Sequence, residues 1–187
     1  MLSINLTPFP TLYTERLILR RTTMADVGEI FFLRSDPRVL QYINRHPCQS
    51  EEEAATFIRL LEGNIDSNEG VPWAISLKDS SKLIGSIGIW RFTKEHYRAE
   101  IGYVMDPEYQ GQGLMQEALQ AAVDYGFGTL GLHSIEANTD PENIASQRVL
   151  ERTGFVREGH VRENHFFEGR FYDTVIYSML APAKNGQ

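Results

Sequence analysis

The chain has a single cysteine, Cys48, so no disulfide can form within it and dithiol redox chemistry is excluded. Positive charge is scarce: 18 lysines and arginines stand against 25 aspartates and glutamates, a formal net charge of −7. A nucleic-acid binder needs clustered cations, and none are present. The acidic balance suits a basic partner or an amine substrate, and equally plain solubility. No apolar run approaches the roughly 20 residues of a membrane span. "MLSINLTPFP" lacks both the basic start and the apolar centre of a secretory signal, so a cytoplasmic location is expected. His46, His96, His133, His160 and His165 show neither H-E-x-x-H nor Cys/His spacing, so no metal site is expected. G-x-S-x-G is missing too, and Cys48 sits in a Pro-flanked loop without a base signature, so no covalent nucleophile is indicated.

What is present is an ordinary globular composition, 42% hydrophobic over 187 residues, which fits one domain spanning 1–187. "ERLILRR" alternates as a strand does. "TMADVGEIFFLR" follows with helical spacing and Thr23 as its N-cap. "SEEEAATFIRLLEGNI" opens with a capping-box pattern, Ser50 and Glu53, and lines Ala54, Phe57, Ile58, Leu61 and Ile65 along one stripe. "PWAISLK", "KLIGSIGIW" and "RAEIGYVM" read as an antiparallel meander. A helix through about Phe127, a strand "HSIEAN", a helix near Pro141 to Arg152 ended by Gly154, and a last strand "DTVIYSML" complete the order. The expected class is α/β with a mostly antiparallel central sheet.

One stretch asks for more. "MDPEYQGQGLMQEAL" sets Gly111 and Gly113 at the mouth of a helix whose Leu114, Met115, Ala118, Leu119, Ala122 and Val123 form a buried face. A P-loop would require a lysine after the glycines, and a dinucleotide fingerprint would require glycine where Gln116 stands. A helix N-terminus binding a pyrophosphate through bare N–H groups requires neither, and an ordinary loop-to-helix turn requires only the glycines.

"YQGQGL" resembles the Q/R-x-x-G-x-G/A acetyl-CoA signature of the GNAT acetyltransferases, with Gln110, Gly111, Gln112 and Gly113 supplying its Q-G-Q-G. "TERLILR", "AEIGYVMDPEYQGQG", "EALQAAVDYGF", "DPENIASQRVLERTGFVREG" and "DTVIYSML" resemble, in that order, the RimJ/RimL-like branch that acetylates ribosomal-protein N-termini, from about Thr14 to Leu180. The resemblance implies the GNAT fold, a twisted sheet flanked by helices and splayed between two central strands to admit acetyl-CoA. It implies cofactor contacts from Gln110 to Met115 (Leu114 included), from the backbone of Tyr103, Val104 and Met105, and from Asn138, Asn143 and Ser146. It also allows a homodimer.

Acetyl transfer to an amine requires removal of a proton from a group whose pKa is about 7.7–8.0 for an α-amine or 10.4 for lysine. It also requires a donor for the oxyanion, for which backbone N–H groups near Val104 or Met105 suffice. In "RAEIGYVM" Glu100 points away from Ala99, Ile101 and Tyr103, and the resemblance makes it the base candidate, against the alternative of a surface glutamate paired with a cation. Asn143 and Ser146 lie three apart on one helical face. The resemblance gives them the pantetheine amides and protonation of the leaving thiolate, although "DPEN" is also a plain helix start. His165 stands where some relatives carry a glutamate and is a second base candidate, or a loop residue of "RENHFFEGRF" beside Phe166 and Phe167. The expected activity is acetyl-CoA-dependent acetylation of a protein or peptide α-amine by direct attack. The alternatives are a small amine acceptor (polyamine, amino acid or antibiotic) and a non-catalytic acetyl-CoA sensor.

Overall fold

The strand expected in "ERLILRR" is β2 (Leu17–Arg20), which buries Leu17 and Leu19 completely. With β1 (Leu12–Tyr13), β3 (Gly70–Leu77), β4 (Leu83–Thr93), β5 (Arg98–Met105), β6 (Ser134–Thr139), β7 (Val156–Phe167) and β8 (Arg170–Leu180) it forms one sheet in the order β1-β2-β3-β4-β5-β6-β8-β7. The computed structural model describes residues 2–183. Every neighbouring pair is antiparallel except β5 and β6. The connection dictates that exception: helix α4 (Leu114–Gly128) carries the chain back over the sheet, so β6 starts at the same end as β5.

The sheet has two working faces. Val71, Trp73, Ile75, Ile87, Ile89, Ala99 and Ile101 pack with Leu114, Ala118, Leu119, Ala122 and Val123 of α4 in the larger core. Ala74, Leu83 and Val104 point the other way, into a smaller cluster with α1 (Val27–Ser35) and α3 (Glu51–Asp66). Helix α5 (Ile144–Thr153) joins the α4 face, where the Tyr177 hydroxyl donates to Glu151 at 2.9 Å. Each fully buried Leu or Ile contributes about 2 kcal/mol, so both faces are firmly seated.

Local starts follow the sequence with small shifts. Ser50 Oγ accepts the Glu53 N–H at 3.3 Å, but the Glu53 carboxylate takes the N–H of Gln49 rather than that of Ser50. The helix expected from Pro141 begins at Ile144, because Asp140 first turns the chain through the Glu142 N–H and Asn143 then caps. The larger correction concerns "RENHFFEGRF". It is the end of β7, a two-residue turn with positive φ at Glu168 and Gly169, and the start of β8. Almost all of β7 is exposed, so no hydrophobic alternation marked it as a strand. Asp173 braces the hairpin by accepting the Glu163 N–H at 2.9 Å and meeting His160 Nε2 at 2.6 Å, across a register shift.

Between β2 and α1 lies a short 3-10 turn (Met24–Asp26). Asp26, 4% exposed, meets Arg20 at 2.6 and 2.9 Å and accepts the Thr23 N–H at 2.8 Å. Burial alone would raise the Asp26 carboxyl, but Arg20 and Thr23 outweigh it and hold it below the ordinary range. A carboxyl lowered on folding adds stability above its unfolded value of about 3.9 and loses it as pH falls through the folded value. The Asp26 contribution to the melting temperature is therefore constant from about pH 6 to 8 and declines below about pH 4. Asp26→Asn melts lower at neutral pH and falls less steeply in acid, as a pH series of thermal melts reads directly.

Candidate active site

β5 and β6 pair at three positions, Arg98–Ser134, Ala99–Ile135 and Glu100–Glu136. Past Glu100, β5 stays with β4 as far as Met105, while β6 stays with β8 as far as Thr139. The sheet therefore parts at Glu100, and the β6-facing edge of residues 101–105 has no strand partner. Unpaired strand backbone can hydrogen-bond an extended, amide-bearing chain.

Across this gap the Tyr103 hydroxyl lies 2.9 Å from Ser146 Oγ, either oxygen being able to donate. Burial pushes Tyr103 up to about 12, so it keeps its proton at neutral pH. The resemblance in sequence assigns Tyr103 a backbone contact alone and gives its side chain no role. The available signal was a tyrosine on an otherwise apolar strand face, since a buried phenol requires a polar partner. Asn143 supports Ser146 from below: its Oδ1 accepts the Ser146 N–H at 3.1 Å, the helix-start role that competed with cofactor binding. Its side-chain NH₂ makes no hydrogen bond among the described residues.

At the far end of β5, Gly111 and Gly113 have φ of +74° and +75°, left-handed values that suit glycine. Gly113 is the N-cap of α4, with no side chain capping the free N–H groups. A Cβ on Gly111 would meet nothing within 4 Å, leaving the backbone open to a bulky anion. This loop therefore fits a pyrophosphate, through bare N–H groups and the positive end of the helix dipole. Leu114 and Met115 bury their side chains in the core and can offer only backbone there. Gln110 and Gln112 turn their amides inward, onto the Met105 and Glu108 carbonyls at 3.0 and 3.2 Å.

A brace missed by the sequence reading fixes the loop. Glu117 of α4 accepts from Thr14 Oγ1, Arg16 N and Arg16 Nε at 2.6, 2.8 and 2.7 Å, and Arg16 Nη1 donates to the Gln112 carbonyl at 2.9 Å. Burial would raise the Glu117 carboxyl, but these donors outweigh it and hold it low. Both ends of the brace were on the page, in "TERL" and "MQEAL", but nothing in a linear pattern joins residues about a hundred positions apart.

On the opposite face of β5 stands Glu100. Its side chain is 17% exposed, and Oε2 lies 2.7 Å from Arg91 Nη1. Oε1 has no hydrogen bond among the described residues. Arg98 turns instead to Glu136. Arg91 adopts φ of +53° within the register shift between Trp90 and Thr93 of the β4–β5 ladder, and this irregularity sits where the salt bridge forms. Trp90 lies over Gly102, where a Cβ would come within 2.6 Å of the indole, so glycine there leaves room for the ring next to Glu100. Asn138 is exposed on this face and donates to Glu136 Oε1 at 3.0 Å, away from the Tyr103–Ser146 pair. His165 is exposed on the β7–β8 hairpin opposite Tyr172, and no hydrogen bond joins it to Glu100 or Ser146.

The same side is bounded by the segment 41–49. His46 Nδ1 lies 3.2 Å from Glu168 Oε1 and its ring 5.0 Å from that of Phe167, so this segment meets the hairpin tip. Cys48 packs in the cluster that Val104 joins, and its N–H donates to the Arg34 carbonyl at 2.8 Å. Among the described residues no helix is long and apolar enough to cross a membrane, and no cluster of three or more His, Cys, Asp or Glu could hold a metal ion.

Comparison with known proteins places this geometry. Residues 16–156 match the family model described as an acetyltransferase (GNAT) domain, whose members use acetyl-CoA. An uncharacterized N-acetyltransferase of Bacillus subtilis, YoaA, is 38% identical over 93% of this chain and 98% of its own length. Spermidine N(1)-acetyltransferase of Vibrio cholerae is 30% identical over 76% of this chain and 80% of its own. Among solved structures, ribosomal-protein-S5-alanine acetyltransferase from Vibrio fischeri superposes with a TM-score of 0.78 at 25% identity, covering 93% of this chain and 98% of that one. The family model spans most of the chain and the relatives match it over most of their own length, and the chain belongs to the GNAT family of N-acetyltransferases.

Proposed function

We propose that the chain acetylates the N-terminal α-amine of a protein or peptide, in the manner of the RimJ/RimL-like enzymes, by direct attack on acetyl-CoA in a ternary complex. The observation that carries this reading is the parting of the sheet at Glu100. It sets one carboxylate with a free oxygen on one face and one hydroxyl pair on the other. When bound, acetyl-CoA supplies the thioester. Glu100 Oε1 takes the proton of the amine, directly or through a water, while Arg91 holds Oε2 in place. Backbone N–H groups near Val104 or Met105 steady the developing oxyanion. Ser146, with the Tyr103 hydroxyl behind it, returns a proton to the leaving thiolate, whose free pKa of about 8.5 makes this assistance modest. The unpaired edge of β5 and the Asn143 amide hold the pantetheine arm, and the N–H groups after Gly113 hold the pyrophosphate. His165, out on the hairpin, serves the acceptor side.

A small amine acceptor is the second reading, supported by the spermidine acetyltransferase relative. Thiol release from acetyl-CoA against peptides beginning with Ala, Ser, Thr and Met, lysine peptides, spermidine and an aminoglycoside separates the two. Acetylation confined to peptide α-amines, located by mass spectrometry, supports the first reading. Acetylation of spermidine or the aminoglycoside alone supports the second. Tight acetyl-CoA binding with no turnover on any amine points to a sensor instead.

A further inference from the structure

Two arginines on the acceptor side have no salt-bridge partner among the described residues. Arg34, at the last turn of α1, lies over the Phe57 ring with its guanidinium carbon 3.7 Å from the ring centre, and it forms no salt bridge among the described residues. Arg45, in the segment that meets the hairpin, also forms none. Its Nε is fully buried with no hydrogen-bond partner. Burial, then the neighbouring Arg34 charge, pushes Arg45 down to about 10. Burial also lowers Arg34, and only Cys48 and Glu53 oppose it. The Glu53 carboxylate is committed to the Gln49 N–H at 2.8 Å. A buried donor without a partner is a cost that natural proteins rarely leave unexplained, and a half-buried guanidinium with no counter-charge adds to it. In a chain of net charge −7 the cost is easily avoided, since carboxylates are plentiful.

The location gives the pair a purpose. Arg45 precedes His46, which contacts the hairpin tip, and Arg34 is tied through its carbonyl to Cys48. Cys48 belongs to the cluster joined by Val104, which shares a face of β5 with Glu100. The arginines are thus held by the segment that links the cluster on the base candidate's face of the sheet to the hairpin tip. A guanidinium offers planar paired donors matched to a carboxylate, and a polycation would be repelled here.

We propose that Arg34 and Arg45 form a carboxylate-reading subsite for the acceptor, so that the enzyme prefers peptides with an acidic residue close behind the reactive amine. This rests on the peptide reading above. The test uses the full chain, acetyl-CoA and two peptides that differ only in having glutamates or glutamines immediately after the first residue. Wild type prefers the glutamate peptide by roughly tenfold to a hundredfold in kcat/KM, the range of a hydrogen-bonded charge. Arg45→Met removes the preference and leaves kcat/KM on the glutamine peptide within about a factor of two. Its melting temperature does not fall, because an apolar stem replaces a half-buried guanidinium whose Nε has no partner among the described residues. Arg45→Gln repeats the test if the methionine variant does not fold. Serine against serinamide separates a free amino acid's α-carboxylate from a peptide's side-chain carboxylate.

Peptide turnover without a charge preference, or a preference unchanged in Arg45→Met, overturns the subsite while sparing the peptide reading. Spermidine turnover with no peptide turnover overturns both. If nothing turns over, calorimetry with the N-acetylated peptides decides. Binding of the glutamate form about tenfold tighter, lost in Arg45→Met, sustains the subsite, and equal binding overturns it.

Discussion

Replacing Glu100 with glutamine is expected to lower kcat by about 10²–10⁴-fold, the usual worth of a positioned general base. The affinity for acetyl-CoA should stay close to wild type. The reason is geometric: Glu100 faces away from Tyr103 and Ser146, on the side of the sheet that carries Trp90 and Arg91, so its loss leaves the pyrophosphate loop and the gap undisturbed. Glutamine keeps the size of the side chain and an oxygen for Arg91 but cannot accept the proton. The residual rate of the variant then follows the fraction of free amine, rising through about pH 7.7–8.0 for an α-amine substrate. A pH–rate profile identical in shape to wild type would remove Glu100 from the role of base. His165→Gln run in parallel would then show whether the hairpin histidine takes it.

The second large effect is at the mouth of α4, where Gly113→Asp is expected to move binding and stability in different directions. Aspartate tolerates the left-handed conformation better than most residues and places a negative charge at the positive end of the helix, which offsets part of the backbone strain. The melting temperature therefore stays within a few degrees of wild type. The same carboxylate occupies the N–H groups proposed to hold the pyrophosphate and repels its charge, so KM for acetyl-CoA rises by about 100-fold. Gly113→Ala, which adds backbone strain of about 1–2 kcal/mol without charge, should lower stability and raise KM more modestly. If the aspartate variant binds acetyl-CoA normally, the glycine pair is only a turn.

Much of this was legible in the sequence because it is local. Helix α4 declared its buried face through apolar spacing, and the meander declared itself through three alternating runs with polar turns between them. The parting of the sheet was not local. It depends on where the β5–β6 ladder stops, and nothing within "RAEIGYVM" or "HSIEAN" marks Glu100 as the last paired residue; only the resemblance to a family pointed there. β7 was missed because its exposed, charge-rich sequence has no hydrophobic period, and its pairing with β8 comes from backbone hydrogen bonds that side chains do not announce. The Tyr103–Ser146 contact and the Arg16–Glu117 brace join distant segments, so the residue types were readable but the pairings were not.

The two faces of the sheet also bear on how such proteins diversify. On the proposed reading, donor handling is built into one layer, α4 and α5 with the large core, while the surface that meets the amine hangs from a second, smaller cluster and a projecting hairpin. Substitutions separated by a sheet and sharing no partners tend to act independently. On that reading the amine-side layer can be rewritten, in α1, in the segment 41–49 or at the hairpin tip, without disturbing the donor side beneath it. Relatives named for spermidine and for a ribosomal-protein alanine, drawn over one common frame, are the range that such separable layers permit.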